Sequence, residues 1–222
     1  MLTVTAALTP KGVRRQYALV TAAAELLCEG GFEAVRHRAV AKRAGLPLAA
    51  TTYYFSSLDD LIVKAVEHIG ALEAQQLRER VAGLSRRRRG AEATVDVLVD
   101  LLVGDDPCVG DDPDTQVSEE LISRYERYIA CARQPALREV QRRVLQQRTD
   151  AVAKVVERCG RTLRGELVPA LVCAVDGAVV AALVDDGEGP RSAARATLID
   201  VIDVLAPITA PISAPVLTAA SG

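Results

Sequence analysis

The sequence predicts an all-α fold, and three observations carry that expectation. Apolar residues recur at three- and four-residue spacing along most of the chain, and no convincing period-two stretch competes with them. Half of the 222 residues are hydrophobic but only 3% are aromatic, so a core has to be filled by Ala, Val and Leu, which suits packed helices. The periodic segments are also punctuated by recognisable helix starts and stops.

Thr9-Pro10 reads as the first start, with threonine as N-cap and proline at the first helical position. Val13, Tyr17, Val20, Ala24 and Leu27 follow at helical spacing, and Gly30-Gly31 stops the run. A second, short pattern (Val35, Ala39, Val40, Ala44) ends at Gly45, and a third short helix is expected from Pro47 to Tyr54. Ser57-Leu58-Asp59-Asp60 forms a capping box: the Ser57 hydroxyl caps and the Asp60 carboxylate reaches back. It opens a long helix toward Leu84, with Leu61, Ala65, His68, Leu72 and Leu77 facing inward. Longer helices are expected near 91–103, 115–132, 135–159, 163–185 and 191–206. Segments 104–114 and 185–190 read as loops from their Gly, Asp and Pro content. Prolines at 207, 211 and 215 cannot continue a helix, so the end is expected to be extended or flexible. The elements group into residues 10–57, residues 58–206 and a proline-rich tail, 207–222.

Charge separates the first two groups. Net charge is only −2, yet up to Ser57 seven Lys and Arg face three acids, and the remainder is acidic. A basic end on an acidic body points to a polyanion partner for the first segment alone. The five cysteines (28, 108, 131, 159, 173) form no C-x-x-C pair, and an odd count argues against a disulfide framework. With two histidines besides, no metal site and no cofactor are expected. There is no nucleophile elbow or phosphate loop, so no catalytic residue is assigned. The first residues lack the basic and apolar regions of a signal peptide. Pro169, Asp176 and Asp185 break the apolar stretches before spanning length, so a cytoplasmic protein with no membrane partner is expected.

Two short helices joined at Ala44-Gly45-Leu46 outline a helix-turn-helix, in which Gly45 takes the left-handed conformation that ends a helix. From Tyr17 to Ile69 the sequence resembles the tetracycline-repressor (TetR) family of bacterial regulators. The resemblance runs through ALVTAAAELLCEGGFEAV, HRAVAKRAG and LPLAATTYYFSSLDDL. It implies an N-terminal three-helix DNA-binding unit followed by a larger helical ligand-binding and dimerisation domain. It also implies that the third helix enters the major groove of double-stranded DNA at a near-palindromic operator. Arg38 matches a position where some members read guanine, and arginine can grip guanine O6 and N7 together. Leu48, Ala49 and Thr52 match groove-facing positions, and Tyr53 and Tyr54 match positions near phosphate. For Tyr54, core packing is an equal alternative. Thr51 and Phe55 are expected to face inward. Lys42, with Lys11, Arg14 and Arg43, is a candidate phosphate partner; for each the bland alternative is a solvated charge. Three departures narrow the contact list: Thr52 stands where the family usually has tyrosine, Leu58 where it has lysine, and Pro47 where it has an N-cap serine.

Residues 166–184 are apolar almost all round and must be buried on most sides. The resemblance implies that helices 163–185 and 191–206 pair with their two-fold mates in a homodimer. Tyr125 and Tyr128 are the only aromatics beyond residue 55. With Leu121, Arg124, Cys131 and Asp176 they are candidates to line a cavity for a small apolar or amphipathic effector, against the alternative of plain packing. A DNA-binding dimer without a small-molecule effector, controlled by a protein partner or a cysteine, is the rival reading. Arg86–Arg89 is expected to be a solvated loop between helices, with a second DNA contact or a clamp for an acidic effector as the alternatives.

Overall fold

A computed structural model describes residues 9–104, 113–163, 165–185, 187 and 189–208, with the side chains of 113–120 and 165 left aside. The expected loop 104–114 and the tail from 209 therefore lie largely outside the described residues. The described chain is helical, with one isolated bridge between Arg161 and Ile208 and no strand.

Helix α1 (Pro10–Ala34) starts where Thr9 and Pro10 dictate, the Thr9 hydroxyl accepting from the Gly12 amide at 3.2 Å, and breaks at Gly30–Gly31. Helix α2 is His37–Arg43 and α3 is Leu48–Tyr54. Gly45 joins them at φ 63°, a conformation that a Cβ would make costly. Helix α4 (Leu58–Gly83) opens on the expected cap: the Ser57 hydroxyl accepts from the Asp60 amide at 3.0 Å, and the Asp60 carboxylate accepts from the Ser56 amide at 3.1 Å.

Next come α5 (Ala91–Leu102), α6 (Pro113–Arg133) and α7 (Pro135–Arg158). The expected helix 163–185 is shorter. A 3-10 turn at Gly165–Leu167 leads into α8 (Val168–Ala182), because Pro169 is accommodated in a first turn and not in a helix interior. Helix α9 is Pro190–Leu205.

Two apolar clusters form. The first joins Leu19, Ala22, Ala23 and Leu27 of α1, Val40 of α2 and Phe55 to Leu61, Ala65, Val66 and Ile69 of α4, and takes in Cys131, Leu137 and Val140. The second gathers α5, α7, α8 and α9 around Leu98, Val152, Leu171, Val175 and Leu198. Helix α4 feeds both: Val81 near its end belongs to the second cluster. It packs along α7, where Gly70 allows the close approach; a Cβ there would meet Val144 Cγ2 at 2.6 Å.

Two expected inner faces are rotated. Val13 and Tyr17 are exposed, and the buried stripe of α1 runs through Leu19, Ala22, Ala23 and Leu27. In α4, Leu72 is exposed and His68 half-buried, with Ile62, Val66 and Ile69 inward in their place. Tyr17 and His68 instead meet edge to face, 5.4 Å between ring centroids, where α1 passes α4.

The Arg86–Arg89 run is a strap rather than a free loop. The Arg87 amide donates to the Arg158 carbonyl at 3.0 Å and the Arg89 amide to the Cys159 carbonyl at 3.1 Å. Arg89 itself is buried, donating to the Ser85 carbonyl at 3.0 Å. The run begins beyond α4, whose 26 residues span about 39 Å from the helix-turn-helix end.

Candidate nucleic-acid interface

Helix α3 is short and poorly capped, since Pro47 offers no side-chain acceptor. It is held from below. Thr51 is fully buried, its hydroxyl donating to the Leu48 carbonyl at 2.8 Å, and Phe55 is buried in the first cluster. With those two residues inward, Leu48, Ala49, Thr52 and Tyr53 face solvent together. Leu48 is 50% exposed and Tyr53 76%. Tyr54 divides its loyalties: half-buried against the first cluster, it also stacks edge-on to Tyr53 at 4.9 Å.

Helix α2 supplies the charge. Arg38 and Lys42 are one helical turn apart, exposed, and have no hydrogen-bond or ionic partner among the described residues. Arg43 behaves differently from the phosphate-binding candidate it resembled. Its guanidinium donates to both Glu29 carboxylate oxygens, at 2.7 and 2.6 Å, and to Glu25 at 3.2 Å. These hydrogen bonds hold the Glu29 carboxyl below the usual range and raise the Arg43 guanidinium above its own. Arg43 thus braces α2 on α1. Of the other candidates, Lys11 is exposed and Arg14 folds back on the Pro10 carbonyl at 3.4 Å.

A second polar constellation lies inside the larger half. The Tyr125 hydroxyl donates to Asp176 Oδ1 at 2.9 Å, and Arg148 Nη1 lies 2.7 Å from the same oxygen. That contact is an ion pair between the Arg148 guanidinium and the Asp176 carboxylate. Arg148 Nη2 and Arg124 Nη1 both donate to the Leu102 carbonyl, at 3.2 and 2.9 Å, closing the end of α5. Tyr128 stacks edge-on to Tyr125 at 5.8 Å.

Burial, and then the Asp176 charge, push the Tyr125 hydroxyl above its ordinary value; burial does the same to Tyr128. Burial works against the charge on Arg148, but Asp176, Tyr128 and Tyr125 outweigh it, and the guanidinium is held protonated.

Four of the six candidate effector residues (Arg124, Tyr125, Tyr128, Asp176) therefore meet around Arg148. Leu121 is buried in the second cluster, while Cys131 is fully buried in the first, among α1 and α4 residues. Arg148 was not among the candidates. Its trace in the sequence is a lone cation on the inward stripe Val144, Arg148, Ala151, Val155. One turn from Arg124 along α6, Arg127 is buried in an ion pair with Glu73 of α4.

Among the described residues no helix is long and apolar enough to cross a membrane, and no three His, Cys, Asp or Glu side chains come together as a metal site.

Two family models match the chain. One, described as "Bacterial regulatory proteins, tetR family", covers residues 19–65. The other, "Tetracyclin repressor-like, C-terminal domain", covers residues 89–204. Solved structures share the fold along nearly their full length. The multidrug binding protein EbrR complexed with imidazole is 27% identical over 90% of this chain and 97% of that one, with a TM-score of 0.60. EbrR complexed with malachite green is 28% identical over 84% and 97%, TM-score 0.58. A putative transcriptional regulator from Saccharomonospora viridis, in complex with choline, matches at 17% identity over 87% and 98%, TM-score 0.65, a likeness of fold. No curated protein matches the chain.

Proposed function

The chain belongs to the TetR family of transcriptional regulators, and from that premise we propose that it is a homodimeric, cytoplasmic repressor released from a near-palindromic operator by a small effector. One observation carries the DNA side of this reading: the solvent-facing set Leu48, Ala49, Thr52 and Tyr53 on α3 beside the unpartnered cations Arg38 and Lys42 on α2. In the complex, Arg38 grips a guanine edge, Leu48 and Ala49 meet apolar base edges such as a thymine methyl, and Tyr53 and Lys42 bind phosphate. Tyr54 keeps its ring in the head and presents its hydroxyl to the backbone of the duplex.

The dimer is supported by a stripe on α8 that faces solvent in the single chain. Ala170, Cys173, Gly177, Val180 and Ala181 are exposed along it, Val184 beyond the helix is 88% exposed, and Val204 on α9 is 79% exposed. Small residues in such a row allow close helix approach, and uncovered apolar surface of this kind asks for a partner.

The effector binds at the Arg124–Tyr125–Tyr128–Asp176 cluster. That EbrR holds imidazole and malachite green, and the S. viridis protein choline, supports a small organic ligand in this architecture. Helix α6 is the transmitting element. It presents Arg124, Tyr125 and Tyr128 to the cluster, and on the same helix Arg127 grips Glu73 of α4, which carries the head. An effector that shifts α6 favours one tilt of α4, and a coupling of about 1–3 kcal/mol changes operator occupancy usefully.

The test is the affinity of purified protein for the DNA upstream of its own gene against random DNA at one moderate salt concentration. The reading expects a ratio of at least about a thousand. Equal affinity would overturn it.

A further inference from the structure

Between the C-terminal halves of α4 and α7 runs a half-open groove of about 520 Å³, within the size range of small-molecule sites. It shares no residue with the Tyr125–Asp176 cluster. Its floor is apolar, made by Ala74, Leu77, Val81 and Ala151. Its banks carry Arg78, Arg86, Lys154 and Arg158 against Asp150 and Glu157.

These charges are not equivalent. Arg158 is engaged with the Leu84 carbonyl at 2.6 Å, closing the end of α4. Arg86 faces Glu157 at 3.6 Å, and Asp150 accepts from Gln146 at 2.9 Å. Arg78 and Lys154 have no hydrogen-bond or ionic partner among the described residues. Helices α4 and α7 run parallel, with Gly70 against Val144 at one end and Arg158 within 3.4 Å of the Ala82 carbonyl at the other. Arg78 and Lys154 therefore stand at about the same height on opposite banks. Two unpaired cations line one groove above an apolar floor, and a carboxylate can be gripped by both. The floor beneath them asks for hydrocarbon.

We propose that this groove is a second effector site, for a free medium-chain alkyl carboxylate, with its chain on Leu77, Val81 and Ala151 and its carboxylate between Arg78 and Lys154. Val81 and Ala151 also belong to the second apolar cluster, so a chain lying there presses on the seam between α4 and α7. The site thus acts on the helix that carries the reading head, independently of the cluster around Tyr125.

Calorimetric titration of the full-length protein with decanoate, below its micelle-forming concentration, tests this, with decanol and acetate as the uncharged and chainless probes. Decanoate binds, and both controls bind at least about tenfold more weakly. The double variant Arg78→Gln/Lys154→Gln weakens decanoate by at least about tenfold. Arg142→Gln, which removes an exposed α7 cation paired with Glu139 away from the groove, leaves decanoate binding as it was. Ala82→Trp, placed on the exposed rim, abolishes binding by filling the groove. Melting temperatures within a few degrees of the parent show that each variant is folded.

No heat with decanoate, equal binding of decanol or of acetate, or an unchanged affinity in the double variant overturns the proposal. Any of these with sequence-specific DNA binding intact leaves the regulator reading standing. Loss of specific DNA recognition in the parent protein sinks that reading, and with it the effector role that rests on it, but leaves the carboxylate site itself standing.

Discussion

Arg38 is exposed and unpartnered on α2, so replacing it touches recognition and not folding. Arg38→Ala is expected to weaken operator binding by about 1–3 kcal/mol per half-site and to relax preference at one base pair, read by competition with operators mutated position by position. A uniform loss across all sequences, with the salt slope reduced by about 1, would reassign the side chain to phosphate. A second expectation concerns the half-buried tyrosines of α6. Tyr125 and Tyr128 are held above the ordinary tyrosine value of about 10, so the folded state keeps protons that the unfolded state releases. Their contribution to stability is complete below that value and is lost as pH rises through and beyond it. Denaturant midpoints should therefore fall above about pH 10, and less steeply in Tyr125→Phe. At this scale the sequence was legible where a residue type had one comfortable place. Phe55 has no polar tip and Thr51 stands opposite the exposed face, and both are buried. Arg148 was opaque because its partners, Asp176 and the Leu102 carbonyl, come from helices far along the chain.

Helix ends were the most legible elements, because capping is a local matter of a few neighbouring residues. Thr9, Gly45 and Ser57 each do what their type and spacing require. Ser57→Ala should cost about 1 kcal/mol, seen as a lowered urea midpoint, and should raise hydrogen exchange in the first turn of α4. Helix faces were harder. In α1 the run Ala22-Ala23-Ala24 is buried throughout, so small residues blur the stripe, and the pattern that included Val13 and Tyr17 was rotated from the true one. Helix α8 begins only at Val168 because Pro169 belongs in a first turn, a signal visible in the sequence but outweighed by the long apolar run around it. In the arginine run 86–89, Arg86, Arg87 and Arg88 are exposed as a solvated loop requires, while Arg89 is buried and the backbone pairs with Arg158 and Cys159 at the end of α7, which no local pattern announces.

The whole molecule joins a reading head to a body along α4, with α6 and α7 beside it, and all three helices contribute to both cores. That sharing follows from α4's length and its contact with α7 through Gly70; no local pattern announces it. Assembly is the other property of this scale. Val180→Glu on the exposed stripe of α8 buries a charge in the proposed two-fold contact. Sedimentation should show a monomer, and specific DNA binding should weaken far more than nonspecific binding, because one head reads only half an operator. A dimer that survives Val180→Glu would move the interface elsewhere. The central claim, a two-headed reader of a near-palindrome, meets its most direct test in selecting bound sequences from a pool of random duplexes with the full-length protein. The account predicts enrichment of one inverted repeat, its half-sites centred about one turn, or roughly 34 Å, apart, with a guanine lost from the consensus in Arg38→Ala. An unstructured pool after repeated rounds, or a single half-site without a mate, would contradict it.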